Sequence, residues 1–426
     1  MTHSTITYLD ALHGDVTLDE AISSLVHAPI VQRLRHVRLS NIDSVSMPGI
    51  ANISRYEHVI GVAHLAARIG FRRRIPVFEH QALVAAALLH DWAITAFGHL
   101  VEEAFNYLDL NFHHESKLQV VLRGDHAGGD ALREDLQILE GRQTDLTPWA
   151  RRTVGTERES ELLSRIEETI RGTGRFGRVV CGTMDLDNID NVYRMAFHMG
   201  LPIDRAIPLR LAEAIVDTDD AGAPVFAKSV DTDVAAWVGT RREIYRRLMP
   251  AQPDFSYKTM LIFATIKEVA AGGITSDDWK LTDAEFLSRL SSSEVDVVRE
   301  TVSRWRAGEA WDTTPLWWLQ GKRPTYSALH TFSEELTEAL GRPCLAYGIK
   351  DKRERRLEFS FDDGSSVAFG SDPSTWLLGV GSPRRAAFTR QQSAMILEMA
   401  RARFAPFADV LPAVDVVGGV QETCLL

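Results

Sequence analysis

Between residues 79 and 92 the polar positions almost vanish: Ala82-Leu83-Val84-Ala85-Ala86-Ala87-Leu88-Leu89 is apolar without a break. A helix that is apolar all round is a buried one. The run ends abruptly on two polar residues, His90 and Asp91. Residues 17–40, opening on Thr17-Leu18-Asp19-Glu20 and running through Pro29-Ile30-Val31-Gln32-Arg33-Leu34-Arg35, also read as helical. So do residues 55–70, after a loop at 41–54 that holds Met47-Pro48-Gly49. Further on, the periodicity predicts helices at 99–121, 160–171, 177–199 with an interruption at Gly182, 208–216, 232–249, 256–271 and 283–307. Between 123 and 160, Gly124, Gly128, Gly129 and Gly141 stand among many charges, which predicts a surface insertion.

The period changes near the C-terminus. Leu357-Glu358-Phe359-Ser360-Phe361 and Ser366-Val367-Ala368-Phe369 alternate on either side of Asp362-Asp363-Gly364, the signature of a β-hairpin, within a strand-bearing stretch at 343–380. A last helix is expected at 389–404. The pattern therefore predicts a mainly α protein: a helical body over 1–312, then a small α+β region over 313–426.

Composition narrows the function classes. With 45% hydrophobic and 25% charged residues the chain is an ordinary globular one. A net charge of −11 argues against nucleic acid or an anionic membrane as the main partner. No apolar run approaches the roughly 18 residues of a membrane span. Met1-Thr2-His3-Ser4 does not open a secretory signal, and Cys181, Cys344 and Cys424 lack CxxC spacing. The ending Glu422-Thr423-Cys424-Leu425-Leu426 is not a prenylation box. A cytoplasmic protein is expected.

Most of the fourteen histidines fall before residue 115. His58 follows Ser54-Arg55-Tyr56-Glu57, His90-Asp91 ends the buried helix, and Asp187 sits in Met184-Asp185-Leu186-Asp187-Asn188-Ile189-Asp190. Imidazole and carboxylate together suit one divalent ion, with Mn, Fe, Ni, Zn and Mg all compatible. Taken singly, each of these residues also fits a surface or capping role. The His-Asp pair is harder to read that way, because a buried carboxylate needs a positive partner.

The spacing of His58, His90-Asp91 and Asp187 resembles the H…HD…D signature of HD-domain metal-dependent phosphohydrolases, which implies an HD helical bundle. Pro29 to Val37, Met47 to Ala51, Arg55 to Ala66, Ala87 to Glu102 and Asp185 to Gly200 are more specifically similar to the deoxynucleoside-triphosphate triphosphohydrolase (dNTPase) branch. The likeness spans about residues 20–312. It implies that His58, His90, Asp91 and Asp187 hold the metal and that Arg55 and Arg241 contact phosphate. It also implies that His99, Glu102 and His114 serve proton transfer, with a nucleotide-like phosphate ester as substrate. A homo-oligomer is expected.

The departures are as informative. Ile94 stands where the family has a catalytic histidine, and Asn188 where it has a phosphate-binding lysine. Leu39, Met195 and Met249 replace three polar residues that read the sugar, so a 3′-hydroxyl would lose its partners. These residues leave four readings open. They are a phosphohydrolase with an altered sugar pocket, a true dNTPase, a degenerate nucleotide-binding regulator, and a dinuclear-iron oxygenase drawing further ligands from His99, His114 and His126.

Overall fold

A computed structural model describes residues 5–40, 45–117, 122, 146–353, 356–371, 375–383, 387–404 and 410–412. Helix (55%) far outweighs strand (14%), so the chain is mainly α. Most of the expected insertion at 123–160, and His126 with it, lies outside the described residues; helix Thr147–Val154 falls within that span and buries Trp149 and Ala150 in the core instead of running over the surface.

The apolar run forms helix Val77–Leu89, with every residue from Ala82 to Leu89 buried. It packs between helices Arg55–Ala67 and Glu159–Ile170. Ser54 caps the helix Arg55–Ala67 by accepting from the Glu57 amide, and Asp185 caps helix Leu186–His198 through the Asn188 amide. Both are side-chain acceptors at the N-cap, the position where such residues stabilise a helix most. Arg33 buries its guanidinium and donates to the carbonyls of Trp92, Ile94 and Leu281, at 3.0, 2.6 and 3.1 Å. These bonds pin the turn that follows Asp91.

Strands are more widespread than the sequence pattern predicts. Thr5–Asp10 and Gly14–Asp19 form an antiparallel N-terminal hairpin. Thr17-Leu18-Asp19 therefore ends a strand rather than opening a helix, and Asp19 caps the helix Glu20–Val26. Ile215–Thr218 and Pro224–Phe226 form a second hairpin, where the predicted helix at 208–216 stops at Glu213. These segments are too short for a period of two to stand out.

The hairpin around Gly364 pairs Leu357–Phe361 with Ser366–Phe369, as the alternation predicts. Leu357–Phe361 also runs parallel to Pro224–Phe226, so one four-stranded sheet joins both halves of the chain. A second sheet combines Asp312–Thr313, Trp317–Gln320, Leu345–Lys350, Thr375–Ser382 and Val410–Pro412. It packs on helix Gln252–Ala270. Helix Tyr326–Leu340 leans on helix His99–Tyr107, and Tyr107 donates to the Ala346 carbonyl at 2.9 Å. The C-terminal elements thus close one side of the helical body.

Candidate metal centre

Four ligand-type atoms converge where helices Arg55–Ala67, Val77–Leu89 and Leu186–His198 meet. His58 Nε2 lies 3.0 Å from Asp187 Oδ1 and 3.9 Å from Asp91 Oδ2. His90 Nε2 lies 3.5 Å from Asp91 Oδ2 and 3.7 Å from Asp187 Oδ1. The donor atoms of His58, His90 and Asp91 all fall within 4.8 Å of one another.

One detail separates a ligand cluster from an internal salt-bridge network. His90 Nδ1 donates to the Ala87 carbonyl at 2.8 Å, which aims the Nε2 lone pair at the cluster. That buried Nε2 has no hydrogen-bond partner among the described residues. A buried polar atom left in this way calls for an ion or a water, and two imidazoles with two carboxylates fit a borderline or hard divalent cation. Burial opposes charge on His90, yet Asp91 and Asp187 outweigh it and push its pKa up to about 9. A proton and a metal ion would therefore compete for the same nitrogen.

Behind the cluster lies a buried scaffold. Asp190 Oδ2 accepts from His58 Nδ1 at 2.7 Å, which fixes the His58 tautomer and turns Nε2 toward the other ligands. Asp190 also faces His13 Nε2 at 2.7 Å and takes two Arg194 nitrogens at 2.9 Å each. Arg194 reaches on to Asp10 and Glu57. Gly61 has to be a glycine, because a Cβ there would overlap Asp190 Oδ1 and Arg194 Nη2. Despite the cost of burial, Arg194 and the hydrogen bonds from His13 and His58 hold Asp190 well below the usual carboxylate range.

A second group stands beside the first. Phe97 (φ 56°) and Gly98 (φ 62°) turn through the left-handed region and launch helix His99–Tyr107. Asp283 steadies the turn by accepting from the Phe97 amide at 2.7 Å. Glu102 Oε2 then meets His99 Nδ1 at 3.0 Å and His114 Nδ1 at 3.1 Å. Burial would raise Glu102, but hydrogen bonds from His114 and His99 hold it far below its ordinary pKa. Burial likewise opposes charge on His114, and Glu102 overcomes it to raise that pKa. The ligand atoms of this trio also lie within 4.8 Å of one another, yet they satisfy each other.

Two cavities meet at Asp91, His99 and Asp187. One, of about 690 Å³, is also lined by His90, His114 and Asn188. The other, of about 480 Å³, is lined by Arg55, Glu102, Leu39, Met195 and Met249. Arg55 pairs with Asp91 through Nη1. Arg241 lines neither cavity: it is buried, donates to the Lys352 carbonyl, and has its guanidinium 4.8 Å from the Tyr245 ring centre. Ile94 is fully buried and brings no polar group to the site. Sequence reasoning left Asp190 without a role, although it follows Asp187 by one helical turn and so shares its face. No local signal marked His13.

No protein-family model matches the chain. The Bacillus subtilis uncharacterized protein YdhJ is 28% identical over 171 residues, 40% of this chain and 48% of its own. A Dictyostelium discoideum deoxynucleoside triphosphate triphosphohydrolase SAMHD1 homolog is 31% identical over 142 residues, 30% of this chain and 27% of its own. The chain thus spans less than half of either relative. A crystal structure of a phosphohydrolase from Bacteroides thetaiotaomicron superposes with a TM-score of 0.60 at 16% identity, over 89% of this chain and 100% of that one. This likeness shows a shared fold. Among the described residues no helix is long and apolar enough to cross a membrane.

Proposed function

We propose that the chain is an HD-type, metal-dependent phosphohydrolase acting on a phosphate ester of a nucleotide or related compound. The observation that carries the reading is the unpartnered His90 Nε2, aimed at His58, Asp91 and Asp187. The structural neighbour is named a phosphohydrolase and the partial relative a dNTP triphosphohydrolase, which supports the same chemistry.

In this reading His58, His90, Asp91 and Asp187 hold one divalent ion. Such an ion supplies Lewis acidity and an acidified water near neutral pH. The remaining steps belong to the chain. Asp190 keeps His58 oriented, and Arg55, held by Asp91 through Nη1 and by the Arg38 carbonyl through Nε, offers Nη2 to a phosphate oxygen. Glu102 orients His114 and favours its protonated form, from which His114 can give a proton to the leaving oxygen. His99 shares that carboxylate and faces both cavities.

Leu39, Met195 and Met249 line the cavity where a sugar would lie. A hydroxyl buried there without a partner costs roughly 1–3 kcal/mol, about tenfold to a hundredfold in selectivity. The four standard dNTPs are therefore expected to be poor substrates. The test is phosphate and nucleoside release with added Mn across nucleoside mono-, di- and triphosphates and simple phosphate esters, beside Asp187→Ala. Metal-dependent release that the variant loses, with dNTPs among the weakest, supports the reading. Ordinary efficiency on dATP or dGTP would make the chain a plain dNTPase. Nucleotide binding without any release would favour a regulator, and two ions per chain the dinuclear alternative.

A further inference from the structure

The cavity that contains Arg55, Asp91 and Asp187 also has a stretch of wall of different character. Lys258, Arg323, Lys350 and Lys352 line it, brought there by helix Gln252–Ala270 and the C-terminal sheet. Lys258 is only 8% exposed. Its ammonium makes no hydrogen bond or ion pair with any described residue. Burial lowers its pKa to about 8, with Glu103 and Asp254 opposing the shift and Lys352 adding to it. Arg323 Nη1 is likewise buried without a partner, while its guanidinium sits 4.1 Å from the Tyr326 ring centre.

Among the described residues the cavity's carboxylates form no ion pair with Lys258 or Arg323, although Glu103 partly offsets the Lys258 charge. Asp91 and Asp187 face the histidines and Arg55, and Glu102 holds His99 and His114. Glu103 accepts the Tyr347 hydroxyl at 2.7 Å. Asp254, outside the cavity lining, is taken by Ser46 and the Val45 amide. Burying a cation without a paired counter-charge is costly, and Lys258 bears that cost, while Arg323 is half-buried and Lys350 and Lys352 are exposed. Such a wall is explained if an anion arrives from outside the protein.

We propose that this wall binds a second anionic group, so that the substrate carries a carboxylate or phosphate in addition to its ester phosphate. The uncharged part of the molecule lies against Leu39, Leu248 and Met249. The ester-phosphate part of this assignment rests on the phosphohydrolase reading; the anion subsite does not.

The experiment uses the full chain and two matched pairs: adenosine 5′-monophosphate with adenosine 3′,5′-bisphosphate, and glucose 6-phosphate with 6-phosphogluconate. Binding is measured by calorimetry and turnover by phosphate release with Mn. In at least one pair the member with the second anion should bind on the order of tenfold or more tighter, as a charge-assisted contact gives. The favoured pair tells a phosphate source from a carboxylate source. Lys258→Met, which keeps the length and removes the charge, and Arg323→Gln should each bring the binding ratio toward one. Equal binding in both pairs, or a preference that survives both substitutions in folded protein, overturns the proposal. Preferential binding without turnover of any probe keeps the subsite and sinks the hydrolase reading instead.

Discussion

Two parts of the lining of the 480 Å³ cavity are built on opposite principles. At one, nearly every charge has a partner: Asp190 alone engages His13, His58 and Arg194, while His90 Nε2 stays without one among the described residues. At the other, the ammonium of the buried Lys258 and the buried Nη1 of Arg323 have no hydrogen-bond partner among the described residues. A network of paired charges around an open imidazole lone pair suits a small cation that enters and stays. An open set of cations suits an anion that comes and goes. The difference implies that removing a partner is costly at the first, whereas removing a charge is favourable at the second.

The sharpest break in that contrast is at the ligands. Purified protein should carry close to one divalent ion per chain, and a His90→Ala, Asp187→Ala double variant should carry almost none by elemental analysis. Stoichiometric metal in the double variant would sink the assignment. Gly61→Ala comes next, because its new methyl must displace the Asp190–Arg194 pair. Breaking a buried pair costs about 3–5 kcal/mol, so denaturant unfolding should show a loss of that size. Asp190→Asn is milder, and the expected readout is metal affinity, falling about 10- to 100-fold as for other residues that orient a ligand. Unchanged affinity would show that His58 does not depend on Asp190.

Glu102→Gln sharpens the comparison at the neighbouring trio. Glu102 raises the His114 pKa, and a general acid is lost as pH rises through that pKa. The variant should lose about 10²-fold in kcat, and its alkaline fall should move to lower pH. A profile of unchanged shape would remove His114 from the acid role.

The smallest effect is expected at the basic wall and has the opposite sign. The Lys258 pKa is lowered in the folded protein to about 8 from its ordinary 10.5. Below about pH 8 both states are protonated and the folded state bears the whole penalty. Stability then rises with pH from about 8 to 10.5, because the unfolded chain keeps the proton longer. Lys258→Met should thus stabilise the protein at pH 7 by up to about 3 kcal/mol, a gain that fades across that window. A destabilised variant at pH 7 would show that Lys258 has a structural partner.

Much of the metal centre was legible in the chain itself. The apolar run 82–89 can only be a buried helix, and a His-Asp pair at its end must find a positive partner. The turn at Asp362–Gly364 is equally local, since an Asp-Gly step between alternating segments leaves few other choices. Asp190 was within reach, one turn from Asp187. The N-terminal hairpin, His13 and the basic wall were not. Lys258 stands in Tyr257-Lys258-Thr259-Met260-Leu261-Ile262-Phe263, where a lone lysine reads as a polar face. Whether that face meets water or a cavity depends on the sheet of Trp317–Gln320, Leu345–Lys350 and Thr375–Ser382 folding across it. Periodicity reports which side of an element is buried, over one or two turns. It carries no information about which distant element does the burying, and that choice brings Lys258, Lys350 and Lys352 into the same cavity as Asp187.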